Sequence, residues 1–456
     1  MKVLINRSVC KWIQIVCIIT LVFSACQKDQ PINQQEMAVV TNNISEGHLR
    51  QTKTFSSDVV VNWLNMQLDM LRVPLPMGTG SQGADRAQVY CGIALYESVV
   101  NGMPAYQSLY GQLRDFPEMP KTEPGKAYHW AASANAALAE MNRKLFQTTA
   151  EVNRTKLDNL ENTLQATYAG EVDAATLQRS VAFGREVAER VFAWAATDGS
   201  ANVNPPYVPL VGPGLWVPTA ITPPVNPYAV QRRLLVYGVA NGTAPEPLPA
   251  YSSVPGSPFW SMAQDVYEKS LALTSDQTAT AIYHRDAPGY PGGGHFVAVL
   301  SQVTALANPA LDVAALSYVK VGLAMHESGL VCFITKYNTN LVRPITYIRN
   351  EMGYSTWSPL IPTPNHPEFP SAHAVLSRAV AEMLTDVFGD NFKFSLRTYD
   401  YQALPARNFD SFYDMAQEMG DSRVFAGIHY QASCDKGSLM GKKVAQNILK
   451  KLKFKK

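Results

Sequence analysis

The sequence predicts an all-α protein made of bundled helices. Apolar residues recur at spacings of three and four along most of the chain, convincing alternating strand patterns are absent from the sequence, and 46% of the 456 residues are hydrophobic. Helices with one apolar side must bury it on one another, so helical bundles around a large core are expected. The formal net charge of +2 gives no overall field that would favour nucleic acid, so any anion selectivity must be local.

The N-terminus predicts a lipoprotein signal peptide over residues 1–26. A basic start precedes an apolar run from Trp12 to Phe23, and Ser24-Ala25-Cys26 follows as a lipobox-like ending with Cys26 as the lipid attachment site. Phe23 is an unusual residue three positions before the cysteine, so simple signal cleavage nearby is the alternative. We therefore expect an outer-membrane or cell-surface lipoprotein, or otherwise a periplasmic or secreted protein, that meets a membrane only through this anchor.

The remaining chain divides into a polar tether (27–56), an N-terminal helical part (57–203), a proline-rich connection (204–257) and a C-terminal helical part (258–456). The prolines from Pro205 to Pro227 exclude a continuous helix in the connection. Such a long connection is either a functional rim or a linker between halves. Apolar periodicity predicts helices over approximately 57–71, 83–101, 125–147, 151–168, 172–197, 258–274, 293–307, 310–334, 371–389, 408–420 and 434–452.

Three segments in the last third of the chain predict a pocket for a tetrahedral oxyanion. They contain three cationic side chains, a hydroxyl and two imidazoles, which can replace the water shell of a phosphate or a vanadate with hydrogen bonds. Each segment alone has an ordinary interpretation, but the three in this order favour a binding site. The segments are Lys336…Arg343-Pro344, Pro370-Ser371-Ala372-His373 and Ser422-Arg423…His429.

The spacing within two segments indicates side chains that point at one ligand. Lys336 and Arg343 are seven residues apart, as are Ser422 and His429, and a spacing of seven on a helix returns to nearly the same face. Two cations at this spacing are otherwise typical of a solvated surface. A histidine after an apolar run is otherwise typical of a core.

The middle segment predicts a helix that begins near Ser371. The unpaired amides of a helix start can bind an anion, and Ser371 is the expected cap. His373 falls in the first turn, where the helix field lowers imidazole basicity and suits the ring to proton transfer. A serine-capped helix with an incidental histidine is the alternative.

The three segments resemble the signature shared by type 2 phosphatidic acid phosphatases and vanadium-dependent haloperoxidases, which reads Lys-x6-Arg-Pro, Pro-Ser-Gly-His and Ser-Arg-x5-His-x3-Asp. The chain length, the helical N-terminal half and the proline-rich stretch resemble secreted bacterial haloperoxidases more than compact membrane phosphatases. The resemblance implies an enzyme that oxidises halide with hydrogen peroxide at a bound vanadate. The alternative it implies is a metal-independent acid phosphatase that acts on a phosphomonoester through a phosphohistidine.

The resemblance also implies roles for individual residues. His429 would bond the central atom of the oxyanion, His373 would be the acid/base group, and Lys336 would also polarise bound peroxide. In the phosphatase alternative, His429 attacks phosphorus and His373 protonates the leaving alcohol. The groups implied to hold the oxyanion are Lys336, Arg343, Ser371, the Ala372 amide and Arg423.

Two departures from the signature bear on activity. Ala372 replaces the usual glycine and adds a methyl group to the pocket, and Ser433 stands where the family has the aspartate that orients the bonding histidine. Asp435 is a candidate substitute if the chain bends there. Because of Ser433, a third alternative is a catalytically weak oxyanion-binding lipoprotein.

Several other residues near the segments have candidate roles. His366 takes a position where bromide-type relatives carry a second histidine, and Phe333 takes one where several haloperoxidases have tryptophan; a rim residue and plain core packing are the alternatives. A disulfide between Cys332 and Cys434 is conceivable, with buried thiols as the alternative. The histidines without ligand spacing receive no role; they are His48, His129, His284, His295 and His326.

Overall fold

The computed structural model describes residues 50–72, 81–285, 290 and 293–456, all of which fall in one compact unit, Ser45–Lys456. The predicted signal peptide, Cys26 and most of the tether lie outside the described residues. Within the described ranges, no helix is long and apolar enough to cross a membrane.

The regular secondary structure of the described chain is helical apart from one short antiparallel hairpin and isolated bridges, which confirms the all-α prediction. The sequence did not predict α7, α10 or the hairpin. The hairpin pairs β1 (Phe394–Leu396) with β2 (Arg407–Phe409). The helices are α1 (Asp58–Arg72), α2 (Ser81–Val99), α3 (Trp130–Leu145), α4 (Glu151–Ala169), α5 (Ala174–Ala195), α6 (Pro258–Leu271), α7 (Ser275–Tyr283), α8 (Gly294–Ala307), α9 (Leu311–Thr339), α10 (Pro344–Asn350), α11 (Ala372–Phe388), α12 (Phe412–Phe425) and α13 (Gln431–Lys451).

Helix α9 is the central element of the core. Nearly all of its residues between Ala314 and Cys332 are buried, because α2 and α11 both pack on it. At the crossing with α2, a Cβ on Gly322 would lie 2.9 Å from the Cα of Val89. Glycine therefore allows the two backbones to touch, and α9 reaches its C-terminal end at Lys336 in a fixed position.

Helix α13 fixes the start of α11 in the same manner. A Cβ on Gly441 would lie 2.1 Å from the main-chain oxygen of Val375, so the two helices are in backbone contact. The Ser371 amide donates to the Ser433 carbonyl at 3.3 Å just before α11 begins. The first turn of α11 is therefore held against the residues that follow His429.

The proline-rich connection packs along the loops that follow α9. It contains no helix beyond the single 3-10 turn Ala229–Gln231, as its prolines predict. Trp216 is fully buried and its amide donates to the Asn340 carbonyl at 2.8 Å, while the Val225 amide donates to the Asn365 carbonyl at 3.0 Å. This stretch is ordered by contacts with the loops that carry Arg343 and His366.

Candidate active site

A turn, rather than a shared helix face, brings Lys336 and Arg343 together. Helix α9 ends at Thr339, and Asn340 adopts a left-handed conformation with φ 48°. Arg343 is extended because Pro344 follows it and begins α10. The prediction that both cations lie on one helix face was therefore wrong, although both are fully buried within the same group of contacts.

Main-chain carbonyls hold both cations in place. Lys336 Nζ donates to the carbonyls of Pro367 and Glu368, each at 2.9 Å. Arg343 donates from Nε to the His366 carbonyl and from Nη1 to the Ile428 carbonyl, each at 2.9 Å. Burial lowers the pKa of Lys336 to about 7 and that of Arg343 to about 10. The site therefore contains concentrated positive charge that lacks water, which is a strong attraction for an anion.

The tautomer of His429 follows from its two partners. Its Nδ1 lies 2.8 Å from Glu368 Oε1, and its Nε2 lies 3.1 Å from Arg343 Nη1. A guanidinium can only donate, so Nε2 accepts and Nδ1–H donates to the carboxyl group. Burial, Arg343 and Lys336 lower the pKa of His429 well below its ordinary value, which keeps the ring neutral. The lone pair of Nε2 therefore faces the cations.

Glu368 is the carboxylate that the sequence analysis missed. It is fully buried and its Oε1 also accepts from the Tyr430 amide at 3.1 Å, so both the ring and the chain after His429 are fixed to it. Burial raises its pKa to about 7, against the effects of Lys336 and Arg343. Its separation of 61 residues from His429 gave no periodic signal. The readable signal was an acidic residue among prolines two positions before Pro370.

Ser433 and Asp435 do not orient His429. Ser433 Oγ and Glu368 Oε2 form no hydrogen bond of standard geometry within the described chain, yet the hydroxyl is close enough to lower the pKa of that carboxyl. Asp435 is exposed and accepts from Gln431 Nε2 at 3.0 Å. The bend that would have brought Asp435 to the ring does not occur, because α13 already begins at Gln431.

Helix α11 begins next to this group, as predicted. Ser371 occupies the cap position but its hydroxyl makes no capping bond, so the expected side-chain cap is absent. The hydroxyl has no hydrogen bond of standard geometry in the described structure; its neighbour is the Cys434 thiol, whose pKa burial raises and Ser371 lowers. Ala372 and the partly buried His373 form the first turn, whose amides are available to an anion.

Arg423 lies on α12. The prediction that Ser422 and His429 share one helix face was wrong. Arg423 is buried and donates from Nη1 to the His284 carbonyl at 2.8 Å. Helix α12 ends at Phe425, and Gly427 turns the chain with φ 77°, so His429 lies in a loop. Ser422 donates to the Met419 carbonyl at 2.7 Å, within its own helix.

His366 and Phe333 form one wall of the site. His366 Nδ1 lies 2.9 Å from Arg343 Nη2 and 3.1 Å from the Pro367 carbonyl oxygen, and the Phe333 ring packs edge-on against the imidazole at 5.2 Å. Burial and the cations Lys336 and Arg343 lower the pKa of His366 well below its ordinary value. The tuning roles predicted for both residues stay predictions. Cys332 and Cys434 are buried free thiols, so the conceivable disulfide is not formed.

These residues border a cavity of about 150 Å³. Lys336, Arg343 and Ser371 are not among the lining residues. Arg343 contacts two residues that are, His366 and His429. Three histidines without a predicted role also line the cavity; sequence spacing gave no signal for them because one follows α7 and the other two lie in α8 and α9. The lining includes Phe333, His366, Ala372, His373, Arg423 and His429, together with His284, His295 and His326.

Comparisons with known proteins agree with this fold. Residues 317–455 match the family of the VCPO second helical-bundle domain. A bacterial vanadium-dependent iodoperoxidase has a TM-score of 0.79 and 27% identity, with 88% of this chain and 97% of that chain covered. An apo-type bacterial vanadium-dependent chloroperoxidase has a TM-score of 0.62, 14% identity and coverages of 83% and 96%. Its holo-type counterpart has a TM-score of 0.60, 14% identity and coverages of 84% and 94%. A comparison with curated protein sequences finds no match.

The chain therefore has the helical fold of the vanadium haloperoxidases, and the predicted resemblance is confirmed. The matched range, residues 317–455, carries all three signature segments. The protein is an enzyme of the haloperoxidase/phosphatase superfamily.

Proposed function

We propose that the protein is a vanadium-dependent haloperoxidase that converts hydrogen peroxide, a halide ion and a proton into hypohalous acid and water. The observation that carries the proposal is the neutral His429, whose Nδ1–H is held by Glu368 and whose Nε2 lone pair faces Arg343. The similarity to a bacterial vanadium-dependent iodoperoxidase at 27% identity supports the same activity.

The side chains present fit a bound vanadate. The site contains three buried cations, Lys336, Arg343 and Arg423, and one buried carboxylate, Glu368, so a multiply charged anion balances it. Ser371 Oγ, which has no hydrogen bond of standard geometry in the described chain, offers a further donor. Vanadate, when bound, would supply an electrophilic centre that activates hydrogen peroxide toward a halide.

The protein's own groups orient and hold this ligand. His429 would bond the central atom through Nε2, and Arg343 Nη1 must then exchange its present contact with that nitrogen for an oxygen of the anion. Lys336, Arg423, Ser371 and the Ala372 amide would hold the remaining oxygens. Burial excludes water, which strengthens each of these charge-assisted bonds.

His373 would be the proton carrier of the reaction. It stands in the first turn of α11 and lines the cavity beside His366 and His429. His429 is engaged with Glu368 and would bond the central atom, so His373 in the first turn of α11 is the histidine that we assign to proton transfer. Halide oxidation consumes one proton, which His373 can deliver.

One pair of assays separates the haloperoxidase from the phosphatase alternative. The purified protein, loaded with vanadate, is tested for peroxide-dependent iodide and bromide oxidation, and the vanadate-free protein is tested with a phosphomonoester. We expect halide oxidation that requires both vanadate and peroxide. Phosphomonoester hydrolysis without vanadate, together with no halide oxidation, would assign the protein to the phosphatases.

A catalytically weak binding protein is no longer the simplest alternative. That reading depended on Ser433 in place of an orienting aspartate, and Glu368 now contacts the imidazole at 2.8 Å. Turnover by the wild-type protein in either assay would exclude it.

The cell location is a further proposal from the sequence. The apolar run and Cys26 favour an exported lipoprotein at the outer membrane or cell surface. Metabolic labelling with a radioactive fatty acid should mark the wild-type protein and not Cys26→Ser. Equal label on both proteins, or none on the wild type, would reject the anchor.

A further inference from the structure

The catalytic cavity extends well beyond the oxyanion group. Helix α9 lines it with His326, Gly329, Leu330 and Phe333, which recur on one face of the helix. A spacing of seven residues at about 1.5 Å each places His326 roughly 10 Å along the helix from Phe333. The cavity therefore has a second end, distant from His429, that the proposed reaction does not use.

Arg232 is the cation at that second end. It follows the 3-10 turn Ala229–Gln231 within the proline-rich connection and lines the cavity. Its Nε and Nη2 atoms are buried and have no hydrogen-bond partner among the described residues. Burial lowers the pKa of Arg232. A buried guanidinium with unused donors is costly unless a ligand takes them.

The neighbouring Arg233 has partners for both of its terminal nitrogens, although its Nε, like that of Arg232, has no hydrogen-bond partner among the described residues. Arg233 donates from Nη1 to Thr197 Oγ1 at 2.9 Å and from Nη2 to the Trp194 carbonyl at 2.6 Å. Arg233 borders the surface cleft and does not line the inner cavity. Arg232 borders both the cleft and the cavity, so it stands between solvent and the oxyanion site.

The charges around Arg232 restrict the ligand to a single negative charge. Asp198 already accepts from Arg86 Nε at 2.8 Å and from the Tyr90 hydroxyl at 2.9 Å. Asp85, which also lines the cavity, is a second carboxylate whose charge acts on Arg232. Three guanidinium groups, those of Arg86, Arg232 and Arg233, stand against these two carboxylates, so one positive charge remains, which a monovalent anion balances and a multivalent oxyanion exceeds.

His326 adds no positive charge to this end. Its Nε2 lies 3.1 Å from the Arg233 carbonyl, so that nitrogen donates and the ring is neutral with Nδ1 as an acceptor. Burial and Arg232 lower the pKa of His326 to about 3. The guanidinium of Arg232 is then the donor that an entering anion meets.

We propose that Arg232 forms a second anion site, selective for small monovalent anions, at the junction of the surface cleft and the catalytic cavity. If the proposed haloperoxidase function holds, the site concentrates halide at the far end of the cavity, away from the vanadate-binding cations. The anion binding itself does not depend on vanadate, peroxide or turnover.

Anomalous diffraction tests the site directly. Crystals of the purified full chain are soaked in sodium bromide or sodium iodide without vanadate. We expect an anomalous peak in contact with the Arg232 guanidinium in the wild type, its loss in Arg232→Gln and its retention in Arg232→Lys. Arg114→Gln is the matched control, because Arg114 borders the cleft but not the cavity, and its peak should persist. No peak in the wild type, or an equal peak in Arg232→Gln, overturns the proposal.

Competition and kinetics complete the test. Acetate should displace bromide from Arg232, whereas equal displacement by sulfate would contradict the monovalent selectivity. In the halide oxidation assay, Arg232→Gln should raise the KM for iodide by roughly 10-fold or more with little change in kcat, as expected for one lost charge-assisted hydrogen bond. An enzyme that oxidises no halide but still shows the bromide peak would refute the proposed function and leave this site intact. Unchanged KM in an active Arg232→Gln enzyme would refute the role of the site in halide supply.

Discussion

Neutralising Glu368 is the most informative perturbation of the oxyanion site. Glu368→Gln keeps the shape of the side chain and an oxygen that can accept from His429 Nδ1. It removes the charge that strengthens this 2.8 Å hydrogen bond and raises the basicity of Nε2. We expect vanadate affinity to fall by roughly 10- to 100-fold, or about 1.4–2.7 kcal/mol.

The size of the loss in vanadate affinity depends on how the pKa of Lys336 responds to Glu368→Gln. Removing a negative charge from beside a bound anion would by itself strengthen binding. The Glu368 charge, however, also raises the pKa of Lys336, which is already only about 7. Without it, Lys336 loses its proton more readily at neutral pH, so the site loses one positive charge together with one negative charge. The two electrostatic effects offset each other, and the weakened orientation of His429 remains.

The assay is vanadate titration of the purified variants by calorimetry at pH 7. Asp435→Asn is the matched control, since it neutralises an exposed carboxylate that sequence spacing also placed near His429. It should change affinity less than twofold, in the range of an exposed charge. Unfolding should not cause the loss of vanadate affinity in Glu368→Gln, because the buried, ionised Glu368 carboxylate destabilises the wild-type fold. The folded pKa of Glu368, about 7, exceeds the ordinary pKa of a glutamate, so the ionised carboxylate destabilises the protein fully above pH 7. This destabilisation decreases as the pH falls from 7 toward the ordinary pKa.

A second substitution, at Ser433, tests whether Glu368 acts by orienting His429. Ser433→Asp alone places a carboxylate beside buried Glu368 and should lower the free energy of unfolding by like-charge repulsion. In the double variant with Glu368→Gln, the same aspartate should restore much of the lost vanadate affinity. Vanadate binding that is unchanged or tighter in Glu368→Gln, or a double variant no better than either single one, would show that Glu368 does not orient His429.

Three further predictions concern chemistry, pH and packing. His373→Ala should reduce halide oxidation by roughly 10²- to 10⁴-fold with vanadate affinity nearly unchanged, and full turnover would reject its role as proton carrier. Affinity for sulfate, whose charge is constant near neutrality, should fall as the pH rises through 7, because Lys336 loses its charge and Glu368 gains one there; in a pH-dependent binding titration, Lys336→Gln should reduce this slope and leave the part due to Glu368. Gly441→Ala should lower stability by about 1–3 kcal/mol in thermal melts, because its Cβ would meet the Val375 carbonyl at 2.1 Å, whereas Gly420→Ala, with ordinary contact at 3.7 Å, should cause no such loss.

Most long helices were predictable because apolar residues recur along them at spacings of three and four, whether on one face or, as in α9, nearly all round. Helix α7 has only nine residues and no such pattern, but its start carries a readable signal, a capping box between Thr274 and Gln277. The three-residue strands of the hairpin are too short for periodicity to reveal them. Local chemistry, not hydrophobic spacing, identifies elements of this size.

The composition of the oxyanion group was predictable, but the geometry that assembles it was not. A spacing of seven suggested a common helix face for Lys336 and Arg343, although Pro344 disfavours helical backbone at the residue before it. Gly427 likewise indicates that the helix ends before His429. Glu368 could not be found by spacing at all, because its contact with His429 joins two loops that only the packing of α11 and α13 brings together.

The same loop contacts explain how a buried cluster of like charges can persist before a ligand arrives. Each cation is held by main-chain carbonyls from another loop: Lys336 by Pro367 and Glu368, and Arg343 by His366 and Ile428. The cations fix the loops, and the loops fix the cations. An entering oxyanion then has to displace the contact between Arg343 and His429 but need not rebuild the wall around it. This is preorganisation in the electrostatic sense, since the reorganisation was completed when the chain folded.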